Sequence, residues 1–223
     1  MNVSTGKKEN TAKLKQLFKE KNLGVKIDIG CGANKVHGFI GVDTRALPGV
    51  DIVMDLEKYP WPIPTDCAST LVSSHVLEHI NPGKVDARLV GLIELMLKKK
   101  VITEAEIKEY IGDYDFESSF VRFMDEAWRI LKPGGEFMIR VPYAGTVGYW
   151  QDPTHINPIS QATMYYFDPF HETQLYKIYR PKPWEIRHLF WDTEGIMEVL
   201  LIKRREDKSF TKHIDLSKKG LQS

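Results

Sequence analysis

The sequence predicts an α/β domain: a three-layer, mostly parallel sheet with an antiparallel C-terminal edge. Three observations carry that prediction. Short apolar runs alternate with helix-forming segments through the first two thirds of the 223-residue chain. A glycine-rich turn, Gly30-Cys31-Gly32, follows the first of those runs directly. Two apolar stretches near the end, 184–191 and 196–204, are joined through Asp192-Thr193-Glu194-Gly195 and read as a β-hairpin.

In chain order, Leu14, Leu17 and Phe18 form a short helical stripe that ends near Gly24, after a polar start over residues 1–10. Residues 25–29 read as a buried strand, 39–42 as the second, 50–54 as the third and 70–74 as the fourth. Between the last two, Tyr59-Pro60-Trp61-Pro62-Ile63-Pro64 is a loop, because three prolines remove donors and restrict the backbone. A long helical region follows the fourth strand, broken at Asn81-Pro82-Gly83, and residues 84–119 form a helical insertion. Within it, Thr103 and Glu106 have the spacing of a capping box. Phe120, Met124, Ala127, Trp128 and Leu131 recur at helical spacing, and Lys132-Pro133-Gly134-Gly135 stops that helix before a fifth strand over 137–141. Residues 143–183 are expected as an aromatic-rich insertion on the substrate side. Lys203-Arg204-Arg205 is expected to be a solvated end, and residues 207–223 a flexible tail.

Composition narrows the function classes. The chain is 42% hydrophobic and 27% charged with net charge +1, so no global field argues for nucleic acid or an anionic membrane. No apolar run is long enough to span a bilayer. Cys31 and Cys67 make neither a disulfide framework nor a paired-ligand motif, which suits a reduced, cytoplasmic setting. A single domain over 1–223 is expected.

The first strand delivers Asp28 into the glycine turn, and the second ends in Asp43, an acid placed to accept hydrogen bonds from a ribose diol. Four blocks in register carry a resemblance: 27–32, 41–43, 51–56 with 71–80, and 126–141, the last containing Glu126-Ala127-Trp128-Arg129-Ile130-Leu131-Lys132-Pro133-Gly134-Gly135. Together they resemble the class I S-adenosylmethionine-dependent methyltransferases, with a type 11-like domain and a Rossmann-like fold. The resemblance implies S-adenosylmethionine as cofactor. It places Asp28, Gly30, Cys31 and Gly32 beside the methionine part, with Cys31 contributing its amide more than its thiol. It places Asp43 with Thr44 at the ribose, Asp55 and Leu56 at the adenine, and Ser73, Ser74 and His75 toward the sulfonium and the acceptor.

Two departures stand out. Only residues 33–38 separate the glycine turn from the second strand, where a parallel crossover normally needs a dozen or more residues. This resembles a subfamily with a Gly-Cys-Gly-x-Asn-Lys loop, in which Asn34 and Lys35 would stand in for a helix dipole near the methionine carboxylate. The other departure is the 84–119 insertion, read as a lid or an interface.

For substrate chemistry the leading segment is Gln151-Asp152-Pro153-Thr154-His155, where His155 is expected to accept a proton and Asp152 to orient it. Tyr143 and Trp150 are the expected acceptor-pocket aromatics, the remaining rings being assigned to packing. His75-Val76-Leu77-Glu78-His79 spells an inverted zinc-protease pattern, but spacing places no third ligand, and no metal is expected. A dinucleotide site would need a third glycine where Lys35 stands. The expected reaction is methyl transfer to oxygen or nitrogen, on a small molecule or sugar, with a protein acceptor also open. A non-catalytic cofactor-binding module and a nicotinamide-dependent oxidoreductase are the competing readings.

Overall fold

Among the described residues, seven strands form one sheet in the order β3-β2-β1-β4-β5-β7-β6. The strands are β1 Val25–Ile29, β2 Ile40–Asp43, β3 Ile52–Val53, β4 Ala68–Ser74, β5 Leu131–Pro142, β6 Trp184–Trp191 and β7 Ile196–Lys203. The structure, a computed structural model, describes Phe18 and residues 24–81, 95–103, 105–106 and 119–206. The first five strands pair in parallel, and the terminal hairpin joins antiparallel through β7 against β5. The sheet is therefore Rossmann-like with an antiparallel C-terminal edge, as the strand pattern predicts.

One face of the sheet is packed by α1, Ser119–Ile130, whose Phe120, Phe123, Met124, Ala127 and Ile130 are buried. They join Ile27, Ile29, Leu71, Phe137 and Ile139 in a single core. The proline-rich loop closes one side of that core. Trp61 lies edge-on to Phe123 at 5.1 Å, and Arg129 caps the carbonyls of Trp61 and Ile63. The predicted stop after α1 appears as an irregularity within β5. Leu131 pairs with Ala68, the next paired residue is Glu136 with Thr70, and Gly134 sits at φ +75° between them.

Boundaries elsewhere shift by a residue or two, except in three places. After β4 the described chain makes a single 3-10 turn, Leu77–His79, rather than entering a long helix, because His75 leaves the strand at φ +56°. Lys203 is not a solvated end. It is buried, donates to Asp66 and to the Leu131 carbonyl, and lies 3.9 Å from the Trp128 ring centroid, which compensates its charge. Residues 143–183 are partly regular, with α2 Val147–Trp150, α3 Gln161–Tyr165 and α4 Tyr176–Tyr179. Thr103 and Glu106 do form the capping box, the Thr103 N–H donating to Glu106 Oε2 at 2.8 Å and the Glu106 N–H to Thr103 Oγ1 at 3.2 Å. The readings over 1–17, most of 84–118 and 207–223 fall outside the described residues. Among the described residues no helix is long and apolar enough to cross a membrane.

The crossover from β1 to β2 runs through residues 30–39 with no helix. It lies on the sheet face opposite α1, flat against β2 at Gly41. A Cβ there would meet Lys35 Cδ at 2.7 Å, Cys31 Sγ at 2.8 Å and the Gly49 carbonyl at 2.9 Å. Gly41→Ala is therefore expected to destabilise the fold by about 1–3 kcal/mol, the usual cost of overpacking. Gly148→Ala, whose Cβ would meet only Thr146 Oγ1 at 3.7 Å, should be close to neutral. Urea denaturation of the two variants checks the contrast.

Candidate functional site

The order of strands reverses between β1 and β4, and a sheet of this kind opens its binding crevice at the carboxyl ends of strands at such a point. A cavity of about 400 Å³ lies there, within the size range of small-molecule sites. Register explains its floor: Asp28 pairs with Val72 and Val72 with Met138, so the three side chains stand in a row on the face opposite α1. Ser74 and Arg140 form the next row, and Gly30, Cys31, Asn34 and Val36 of the crossover make the opposite wall. The cavity occupies the face on which a crossover helix would pack in an ordinary βαβ unit.

Two acids hold this wall. Asp28 is 5% exposed and accepts the Val36 N–H at 2.8 Å. Desolvation by burial pushes its carboxyl above the usual range, against the Val36 hydrogen bond and the Lys35 charge. Asp43 accepts the Gly32 N–H at 2.9 Å on one oxygen and the Arg45 N–H at 2.9 Å on the other. Burial alone would raise Asp43, but those two N–H groups and the Arg45 guanidinium hold it below the usual carboxylate range. Gly30, at φ +72°, lets the segment after β4 approach, since a Cβ would lie 2.1 Å from Val76 Cγ2. Gly32, at φ +54°, faces open space.

The cavity gathers Asp28, Gly30, Cys31, Asn34, Ser73 and Ser74 from the predicted set. Other predicted residues are placed differently. The Cys31 amide donates to the Val42 carbonyl, and burial pushes its thiol up to about 11. Lys35 is turned away from the cavity and pairs with Asp51 at 2.7 Å. Thr44 is exposed beside Asp43, and Asp55 makes a local turn, accepting the Glu57 N–H and pairing with Lys58. Leu56 is buried in the core, its carbonyl held by the Trp61 indole N–H. Tyr143 packs edge-on to Trp191, and Trp150, 71% exposed, stands on α2 against Tyr149. Cys31 lines the cavity, whereas Lys35, Thr44, Asp55, Leu56, Tyr143 and Trp150 do not.

His75, His155 and Asp152 lie in a second group beyond the ends of β4 and β5. His75 is half-exposed, with Nδ1 3.3 Å from Glu78 Oε1, and that contact raises its pKa. The His155 ring is nearly buried, and its orientation comes from the Tyr149 carbonyl, which accepts from Nδ1 at 2.7 Å. Asp152 does not provide that orientation. Its Oδ2 is 3.7 Å from Nε2 while Oδ1 accepts from Thr154. Sequence reasoning missed Val36, Val72, Met138 and Arg140 as lining. Only the alternation along β4 and β5 hinted at the last three, since it puts them on the face of Asp28.

No family model and no curated protein sequence matches the chain. Solved structures do resemble it. An S-adenosylmethionine-dependent methyltransferase from Aquifex aeolicus is 11% identical over 91% of this chain and 99% of its own, with a TM-score of 0.44. One from Archaeoglobus fulgidus is 14% identical over 86% and 92%, with a TM-score of 0.45. One from Mesorhizobium loti is 13% identical over 85% and 95%, with a TM-score of 0.43. At such identities the likeness is one of fold, and function has to be argued from the site.

The opposite shifts of the two acids give opposite pH signatures. Asp43, depressed, contributes stability that is present above its unfolded pKa and lost as pH falls through the folded value. Asp28, raised, contributes stability that is present below its unfolded pKa and lost as pH rises through the folded value. Asp43→Asn should thus lose about 1–3 kcal/mol at pH 7, with a smaller loss in acid. Asp28→Asn, which keeps an acceptor for Val36, should be neutral to stabilising at pH 7. Urea denaturation from pH 3 to 7 reads both signs.

Proposed function

We propose that the chain is an S-adenosylmethionine-dependent methyltransferase, transferring a methyl group to oxygen or nitrogen on a small molecule or sugar. The observation that carries this reading is Asp28: a desolvated carboxylate in the floor of a cavity at the strand-order reversal, beside a glycine turn. Such a group attracts a compact cation. S-adenosylmethionine brings an ammonium and a sulfonium, whereas the pyrophosphate of a dinucleotide would be repelled. Lys35, one cation that might have offset that repulsion, is committed to Asp51, and Arg140 of the lining is tied to Glu198. The oxidoreductase reading is weakened accordingly.

The cofactor, when bound, supplies an electrophilic methyl group. The residues of the chain bind and orient. Asp28 faces the cationic end, and Gly30 and Gly32 permit close approach of the backbone. Asp43 keeps the turn in place and offers its remaining lone pairs to ribose hydroxyls, while the exposed Asp55 oxygens suit an adenine amino group. Arg140, tied to Glu198 at 2.6 Å, gives the cavity a cationic corner for the methionine carboxylate. Ser74 and His75, at the end of β4, face the acceptor side. With Nδ1 against Glu78, His75 has Nε2 left to accept a proton. Tyr143 and Trp150, off the cavity, would line an acceptor too large to fit within it.

Calorimetric titration with S-adenosylhomocysteine and with S-adenosylmethionine tests the cofactor. The wild-type chain should bind both. Asp28→Asn should remain folded yet lose at least tenfold in affinity for S-adenosylmethionine, the usual trade between stability and function. Equal affinity in that variant would overturn the role of Asp28. Methyl-labelled cofactor incubated with fractionated extract should label an acceptor, and binding with no label in any fraction would favour the non-catalytic module.

A further inference from the structure

We propose that Glu78, His79 and His155 form a binding site for one first-row divalent transition metal ion, with zinc the best match. Each residue offers a ligand atom, and the three atoms lie within 4.8 Å of one another. Spacing along the chain supplies only the first two residues. The fold brings the third from the loop after β5, and that loop is clamped in place. The Ile156 and Asn157 N–H groups both donate to the Glu78 carbonyl at 3.0 Å, and the Asn157 side chain donates to the Leu77 carbonyl at 3.0 Å.

The tautomers point the same way. His155 Nδ1 lies 2.7 Å from the Tyr149 carbonyl, and His79 Nδ1 lies 3.2 Å from the Thr154 carbonyl. A carbonyl only accepts, so both Nδ1 atoms carry hydrogen. Each neutral ring therefore has its lone pair on Nε2. Donating the far N–H to a backbone carbonyl is how ligating histidines are usually held.

Glu78 supplies the independent observation. Its side chain is fully buried, and neither carboxylate oxygen receives a well-aligned hydrogen bond. The nearest nitrogens are His75 Nδ1 at 3.3 Å from Oε1 and His155 Nε2, which carries a lone pair, at 3.9 Å. The second distance is too long for a hydrogen bond, so a purely internal ion pair leaves the buried carboxylate under-satisfied. A cation between the three groups resolves this. Metal–ligand distances of about 2.0–2.2 Å would draw the ligand atoms to about 3.3–3.5 Å apart, a shift within reach of side-chain rotation. His75 would remain beside the ligating carboxylate.

Donor type narrows the metal. Two imidazoles and a carboxylate match zinc and its first-row neighbours, whereas magnesium and calcium prefer oxygen shells. Three protein ligands leave a fourth position, and the neighbouring Asp152 is 3.7 Å from His155 Nε2 through its free Oδ2. Asp152 and His79 are not buried, so the ion has access from solvent. The site uses Glu78 as a ligand, which differs from the helical zinc-protease geometry of the same five residues, where two histidines share a face.

The test uses the untagged full chain, stripped with chelator and titrated with Zn²⁺ alone. One ion should bind per chain, Tm should rise with added metal, and Co²⁺ in its place should give visible d–d absorption. Glu78→Gln and the partly exposed His79→Gln should each weaken Zn²⁺ binding at least tenfold. His79→Gln should keep the wild-type Tm in chelator, separating loss of the site from loss of the fold. Stoichiometry well below one, or unchanged Zn²⁺ affinity in both variants, would overturn the proposal. Neither readout involves S-adenosylmethionine, so this failure is distinguishable from failure of the methyltransferase reading.

Discussion

The rest of the structure depends on how a very short parallel crossover is held down. Ten residues return the chain from the end of β1 to the start of β2 with no helix to cover the sheet. Backbone satisfaction replaces the helix: Gly30 and Cys31 donate to Val42, Gly32 to Asp43 and Val36 to Asp28. Leaving such groups unpaired and buried would cost about 1–3 kcal/mol each, so the two carboxylates are structural before they are anything else. Their different partners make one comfortable as an anion and the other uncomfortable.

That discomfort connects fold to function. Asp43 receives two backbone donors and an arginine, whereas Asp28 receives one backbone donor and borders the cavity. A protein without a ligand for Asp28 would gain by replacing it. On the proposed reading a positively charged guest would offset that cost, and the missing crossover helix leaves room beside Asp28.

A second constraint operates past β4. The positive φ of His75 ends the strand and swings Leu77–His79 under the loop after β5. The Glu78 carbonyl then takes two N–H groups from that loop, so its side chain is buried whatever it binds. Packing decides the burial, and the imidazoles around it decide which partner can relieve it.

The strands β1, β4 and β5 were legible as short apolar runs, and Gly30-Cys31-Gly32 was legible because glycine adopts such turns at the least cost. The hairpin was legible from its Asp192-to-Gly195 connection. What the sequence by itself determined is the sheet, its antiparallel edge and the acids at the strand ends, all of which depend on local pattern. Tertiary structure alone decided that Lys35 turns to Asp51, that Leu56 and Lys203 are buried, that Arg140 and Met138 floor a cavity, and that His155 meets Glu78 and His79. Those are contacts between segments far apart in the chain, and register and desolvation, which no local pattern encodes, set them.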